Sequence, residues 1–204
     1  MVRIFVASSN AGKLADFAEA ARAHNIDVAP LPGIRQIAAP EETGVAFEEN
    51  ARLKAEFYSS YAPAELVIAD DSGLAVNGLN GEPGVRSARY AEDAGIRSTD
   101  PDRANNDLLI ERADSIPHSK RQCAFVCSIA AARDGVTLET FTTQARGMLL
   151  RAPRGANGFG YDPLFYFPEL GKSFAELSRE EKLRVSHRGA AFRMFLEWMR
   201  QKFI

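Results

Sequence analysis

Leu66-Val67-Ile68-Ala69-Asp70-Asp71-Ser72-Gly73-Leu74 sets two adjacent carboxylates directly behind a short apolar run. Leu66, Val67 and Ile68 read as the end of a buried strand. Carboxylates in such a place are costly unless they are paired, hydrogen-bonded or bound to a cation. Side chains alternate along an extended chain, so Asp70 and Asp71 are expected to point in opposite directions. One could face a cleft while the other anchors the backbone. Asp, Ser and Gly are also turn formers, and the stretch taken alone reads equally well as a turn. On that reading Leu74-Ala75-Val76 begins a second short strand, and the rest of the chain has to decide.

Upstream, Val2 to Ala7 is apolar and reads as a first strand. Ser8-Ser9-Asn10-Ala11-Gly12-Lys13 follows, and then Leu14, Phe17, Ala18 and Ala21 recur at helical spacing. A strand, a polar turn and a helix N-terminus with a lysine in its first turns suit an anion such as phosphate. The Gly-x4-Gly-Lys-Ser/Thr pattern of a Walker A loop is absent. The same residues also suit a plain helix cap followed by a surface lysine. Residues 30 to 44 read as a connection ending in Glu41-Glu42-Thr43-Gly44, and a second helix is expected from about Ala46 to Tyr61. Asn50 and Lys54 are four apart, which puts them on one face of that helix.

Downstream, Asn77 to Arg89 is a glycine-rich loop, and Asp100-Pro101 starts a helix with proline at its first position. Residues 122–132 and 137–150 are strand-like and joined by Asp134-Gly135, a two-residue hairpin signal. Arg151 to Gly160 leads into Phe159-Gly160-Tyr161-Asp162-Pro163, where aromatics and a carboxylate alternate with glycine and proline. That composition suits a rigid pocket for a flat ring. Ser178-Arg179-Glu180-Glu181 has capping-box spacing. Lys182 and Ser186-His187-Arg188-Gly189 precede a final amphipathic helix carrying Ala190, Phe192, Phe195, Leu196 and Met199.

A chain of 204 residues supports one substantial domain or two small lobes. A net charge of −2 argues against a globally basic nucleic-acid binder but leaves room for a local basic pocket. No apolar run approaches the roughly 18–20 residues needed to span a bilayer, and the N-terminus is too quickly polar for a signal peptide. Cys123 and Cys127, spaced by four, form neither a redox pair nor a zinc set and read as reduced core thiols. A cytoplasmic location follows from that usage. Acids able to hold a hard divalent metal, with separated cations at Lys13, Lys54, Lys182 and Arg188, describe a nucleotide phosphate site.

In order along the chain, the motifs are Ser8-x-Asn10-x-x-Lys13, Glu41-Glu42-Thr43-Gly44, Phe47-Glu48-Glu49-Asn50-Ala51 with Lys54, and Ala69-Asp70-Asp71-Ser72-Gly73-Leu74. Then come Ser87-Ala88-Arg89-Tyr90, Phe159-Gly160-Tyr161-Asp162-Pro163, Glu180-Glu181-Lys182 and Ser186-His187-Arg188-Gly189. In this order they resemble the inosine triphosphate pyrophosphatase family, which hydrolyses non-standard purine nucleoside triphosphates. The resemblance spans residues 8 to 189 and implies an α/β fold. That fold has a long, curved mixed β-sheet flanked by helices, with two lobes around a central cleft. It implies a single pyrophosphatase domain over residues 1–204 that acts as a homodimer with a small-molecule nucleotide and with neither nucleic acid nor membrane. The reaction would cleave ITP, dITP or XTP between the α and β phosphates, cleansing the nucleotide pool.

The roles implied by the resemblance fall on matching positions. Asp71 takes the place of the general base and helps to hold Mg2+. Glu41 matches a metal-binding acid, with Glu42 as the alternative. Lys13 and Lys54 neutralise the triphosphate, and Ser8, Asn10 and Ser72 add hydrogen bonds to it. Phe159 stacks on the base. Gly160, Tyr161, Asp162, Lys182, His187 and Arg188 complete the nucleoside pocket. Two positions depart from the family pattern: Arg86 stands where an aromatic is frequent, and Asp107 where a lysine is common. Rival readings are a pyrophosphatase for modified pyrimidine or methylated nucleotides, a non-hydrolysing nucleotide sensor and an RNA-binding module. The stacking loop with its His-Arg pair, the intact acids, and the negative net charge argue against them in turn.

Overall fold

The computed structural model describes residues 3–22, 24 and 26–203. The expected start of the first strand at Val2 lies outside the described residues. In chain order the elements are β1 (Arg3–Val6), α1 (Ala11–Arg22), β2 (Asp27–Pro30), α2 (Phe47–Ser59), β3 (Val67–Val76), α3 (Tyr90–Asp93) and α4 (Pro101–Arg112). They continue with β4 (Gln122–Arg133), β5 (Val136–Leu149), β6 (Phe165–Phe167), β7 (Lys172–Ser173), α5 (Arg179–Val185) and α6 (His187–Phe203). The strands pair in the order β2-β1-β3-β4-β5-β6-β7. β1 runs parallel to β2 and β3, whereas β5, β6 and β7 pair antiparallel, so the sheet is mixed, as expected.

The chain falls into two compact units. The first takes in Met1–Asp71, Cys127–Thr143 and His187–Ile204. Strand alternation gives it two apolar faces. Ile4, Val6, Ile68, Cys127 and Ile129 pack with Phe17 and Ala21 of α1 and with Phe192, Phe195 and Met199 of α6. Val67, Ala69, Ala130 and Ala132 pack with Ala51, Ala55 and Tyr58 of α2. The residues between strand positions therefore sort themselves helix by helix, and this sorting fixes which helix each aspartate of β3 meets.

Asp70 to Gly73 make no turn. β3 continues through them to Val76, and Leu74 and Val76 belong to the same strand. Turn preference gives way because both carboxylates find cations on flanking helices, so the polar residues can stay extended and buried. The parallel edge strand β2 falls in a stretch that sequence leaves featureless. At four residues ending in proline it is too short to show a period, and proline is tolerated at an edge. The β4–β5 connection is the expected two-residue turn. Asp134 and Gly135 have φ of 51° and 80°, the left-handed values a primed hairpin turn needs. Asp134 also accepts from the Ala64 N–H at 2.7 Å.

The second unit takes in Ser72–Val126 and Gln144–Ser186. Its core is built on Leu74, Val76, Leu109, Phe125, Phe165 and Phe174, with Phe165 and Phe174 ring centroids 4.5 Å apart. Asp100 caps α4 by accepting from the Arg103 N–H, with Pro101 at the first position. Ser178 and Glu181 form the capping box expected at α5. Arg121, buried in this unit, donates to three main-chain carbonyls, those of Leu149, Ala113 and Leu150, at 2.9, 2.6 and 2.8 Å. Both positions that depart from the family pattern lie on the surface. Arg86 makes a two-pronged pair with Asp93 at 2.6 Å, and Asp107 lies 3.7 Å from Arg103.

Candidate active site

In the first unit, β3 delivers two carboxylates to two different helices. Asp71 continues the Val67–Ala69 face toward α2, where its Oδ1 lies 2.8 Å from Lys54 Nζ and its Oδ2 accepts from Asn50 Nδ2 at 3.4 Å. Lys54 Nζ is also 2.9 Å from Glu42 Oε1, so one ammonium ties two carboxylates together. Asn50 has a second task. Its Oδ1 accepts from the Gly44 N–H at 2.8 Å and its Nδ2 donates to the Gly44 carbonyl at 3.3 Å, tethering the Glu41–Gly44 loop. A Cβ at Gly44 would lie 2.6 Å from Asn50 Oδ1, so only glycine permits this approach.

Asp70 continues the other face, with its side chain 1% exposed. Its Oδ2 is 2.9 Å from Lys13 Nζ on α1 and 3.6 Å from Arg188 Nε on α6. Arg188, 4% exposed, also donates from Nη1 to Asp16 Oδ2 at 3.2 Å. At the start of α1, the Asn10 side chain caps the helix by accepting from the Lys13 N–H at 3.0 Å, and Ser8 Oγ accepts from the Asn10 N–H at 3.2 Å. The cap and the anion-site readings of this turn are thus compatible: Asn10 caps, while Lys13 turns inward to a buried acid.

Burial pushes the Asp71 carboxyl above its usual range, and the neighbouring Lys54 and Lys13 offset only part of that rise. Burial draws Lys54 the other way, but Asp71, Asp70 and Glu42 together hold its ammonium above the ordinary lysine value. The result is a carboxylate with heightened basicity beside a firmly protonated cation, which suits a general base next to a developing anion.

The second unit holds the aromatic loop. Asp162 is buried and accepts both from the Phe159 N–H at 2.9 Å and from Lys182 Nζ. The Lys182 ammonium sits 4.9 Å from the centroid of the half-buried Phe159 ring. Gly158, at φ 78°, places its backbone against the Asp162 carboxylate where a Cβ would collide. Tyr161 is buried and donates its hydroxyl to the Ser87 carbonyl at 2.8 Å, and burial pushes its phenol far up, so it stays a donor.

A model of the Ham1 family matches residues 4–198. The chain belongs to the Ham1 family. Among relatives in that family's range of sequence, the dITP/XTP pyrophosphatase of Acidobacterium capsulatum is 53% identical, covering 95% of this chain and 96% of the relative. The dITP/XTP pyrophosphatase of Bacillus cereus is 42% identical, covering 100% and 98%. Solved Ham1 structures agree. The HAM1 protein of Coxiella burnetii superposes with a TM-score of 0.84 at 35% identity, covering 98% of this chain and 100% of that one. The Ham1 protein of Staphylococcus aureus gives 0.82 at 38% identity, covering 98% and 99%. The resemblance carried by the eight motifs is thereby borne out at the level of family.

Within this Ham1 chain, the residues singled out from sequence divide between the units. Lys13, Glu42, Lys54 and Arg188 gather around Asp70 and Asp71 in the first, with Ser8 and Asn10 at the head of α1. Phe159, Gly160, Tyr161, Asp162 and Lys182 gather in the second. Arg188 is held beside Asp70 of β3 and Asp16 of α1. His187 is buried at the start of α6, and its carbonyl accepts from Thr143 Oγ1 at 2.6 Å. Ser72 follows Asp71 on β3. Of the acidic pair, Glu42 reaches Lys54, while Glu41 is exposed on the loop before α2. Asp16 escaped the sequence reading; its signal is a carboxylate one turn after Lys13, next to the core residue Phe17.

Asp71 and Glu42 are the donors suited to a divalent cation. Among the described residues no group of three or more His, Cys, Asp or Glu could hold a metal by itself. Two carboxylates sharing one ammonium fit a hard divalent cation that takes its remaining ligands from outside the protein.

Proposed function

We propose that this chain hydrolyses dITP, XTP and ITP to the monophosphate and pyrophosphate. One observation carries the reading. A buried carboxylate of raised basicity, Asp71, sits 2.8 Å from Lys54 on the strand that also places Asp70 against Lys13, in a chain belonging to the Ham1 family. Relatives named dITP/XTP pyrophosphatase, 42% and 53% identical over nearly the whole chain, support the same chemistry.

Asp71 orients the attacking water and takes its proton. Lys13 and Lys54 neutralise the phosphates and stabilise charge as it builds on the departing pyrophosphate. Ser8, Asn10 and Ser72 donate to phosphate oxygens. Asp71 and Glu42, with Glu41 on the same loop, would hold Mg2+, which would shield the phosphate charges from one another when bound. Phe159 stacks on the base, with Gly160, Tyr161, Asp162 and Lys182 shaping its surroundings. Donors for the 6-oxo group complete the surroundings of the base. Adenine carries an amino donor at that position, which would leave those donors unpaired and so disfavour ATP.

Residues 1–204 act as one functional domain on this reading, and the enzyme works as a homodimer in the cytoplasm on free nucleotides. No helix among the described residues is long and apolar enough to cross a membrane.

The test is a panel of ITP, XTP, dITP, ATP and GTP with Mg2+, with pyrophosphate and orthophosphate products separated. The expected result is pyrophosphate from the first three at kcat/KM well above that for ATP and GTP. Equal turnover of ATP, or release of orthophosphate, overturns the reading.

A further inference from the structure

Two side chains of α4 hold a single residue of the aromatic loop. Gly160 donates its N–H to Asp102 Oδ2 at 2.7 Å, and its carbonyl accepts from Asn106 Nδ2 at 2.9 Å. Asp102 and Asn106 are four apart and share a helix face. The Asn106 amide also donates to the Asp102 carbonyl at 2.8 Å, which fixes which way the amide points. α4 is itself firmly seated. Leu109 is fully buried, and Asn105 accepts from the Ala91 N–H at 2.8 Å while donating to the Ala88 carbonyl at 3.3 Å.

Gly160 has φ 59°, and nothing lies within 4 Å of where a Cβ would be. Glycine is therefore suited here by backbone direction rather than by crowding. That direction aims its N–H and C=O at the two α4 side chains. The neighbouring Phe159 N–H is held from the other side by Asp162. The main chain on both sides of the Phe159 ring is thus fixed by side chains. A surface loop held only by water would leave the ring free to wander, and recognition by stacking depends on where the ring is.

We propose that Asp102 and Asn106 are positioning residues for recognition of the flat purine base, acting through Gly160 on the Phe159 ring. This rests on the proposed function above. Neither side chain needs to touch the nucleotide. Their loss should weaken selection by the base while leaving binding of the phosphates as it was.

The experiment uses the full chain with Asp102→Ala, Asp102→Asn and Asn106→Ala. Steady-state kinetics are run on dITP and ATP, with inorganic tripolyphosphate as a competitive inhibitor that reports on phosphate binding alone. Asp102→Ala is expected to raise KM for dITP about five- to tenfold, the scale of one lost hydrogen bond, with kcat within about twofold. The tripolyphosphate inhibition constant should be unchanged. Asp102→Asn keeps an acceptor oxygen and should restore most of KM. Because Asp102 is exposed, its alanine variant should fold, whereas Asn106→Ala is accepted only if its Tm shows a folded protein. An unchanged KM in Asp102→Ala, or an inhibition constant that rises in step with KM, overturns the proposal while leaving the pyrophosphatase reading intact. A wild-type enzyme with no turnover of any purine triphosphate overturns both.

Discussion

Lys54 Nζ lies 2.8 Å from Asp71 Oδ1, joining the helix α2 to the strand β3. The pair sets a base beside the cation that would stabilise the leaving group. Asp71→Asn keeps the shape and the Asn50 contact but cannot take a proton. Turnover should fall by about 10²–10⁴-fold, the usual scale of a lost general base. Pyrophosphate release measures this, and near-wild-type release would remove Asp71 from the chemistry.

The same carboxylate predicts a pH dependence. Burial raises its folded pKa above the ordinary carboxylate value, so the folded state binds the proton more tightly than the unfolded chain. The stability this proton confers is complete below the unfolded pKa and lost as pH rises through the folded one. Ionised Asp71 therefore costs stability at neutral pH. The Tm of Asp71→Asn minus that of wild type should increase with pH across the window from the ordinary value, about 4, up to the raised one. In the same window kcat/KM of the wild type should rise with pH. A Tm difference that falls as pH rises would mean the carboxyl is stabilised by its lysine rather than strained by burial.

Asp70 should behave in the opposite way to Asp71. It is deeply buried, with Lys13 at 2.9 Å and Arg188 at 3.6 Å, and Arg188 is committed to Asp16 as well. Removing one charge from such a group leaves the others uncompensated. Asp70→Asn and Arg188→Ala should each destabilise by about 3–5 kcal/mol. Denaturant unfolding measures this. A loss under about 1 kcal/mol in both would show that solvent or rearrangement screens the group.

Gly158→Ala tests the aromatic loop. At φ 78° an alanine is strained, and its Cβ would meet the Asp162 carboxylate that holds Phe159 and Lys182. KM for dITP should rise while the inhibition constant for tripolyphosphate stays put. A KM equal to wild type would separate this loop from base recognition.

Arg121 tests the second unit. Its guanidinium satisfies three carbonyls, with no carboxylate partner among the described residues, and burial lowers its pKa. Arg121→Met leaves those carbonyls without their donor and should destabilise by about 2–4 kcal/mol. Thermal unfolding measures this, and an unchanged Tm would mean that water replaces the guanidinium at no cost.

Local chemistry was readable where the determining residues are close in sequence. Asp134-Gly135 supplies the left-handed turn, Ser178 and Glu181 cap α5, and Asp100-Pro101 starts α4. Asn50 and Lys54, four apart, both reach Asp71. Strand alternation already assigns Asp70 and Asp71 to opposite faces, and the structure sends one to α1 and α6 and the other to α2.

What sequence left open required distant partners. Whether Asp70-Asp71-Ser72-Gly73 turns or stays extended depends on cations from other segments: Lys13 and Arg188 for one acid, Lys54 for the other. The Arg188–Asp16 pair spans 172 positions, and no local period can announce it. Likewise Glu42, and not Glu41, reaches Lys54 because Asn50 tethers the loop at Gly44. The sequence by itself determined that two carboxylates stand side by side behind an apolar run, and that an extended chain would send them to opposite faces. Only the tertiary structure decided that both could remain in a strand, because burying a charge is tolerable only where the fold brings its counter-charge.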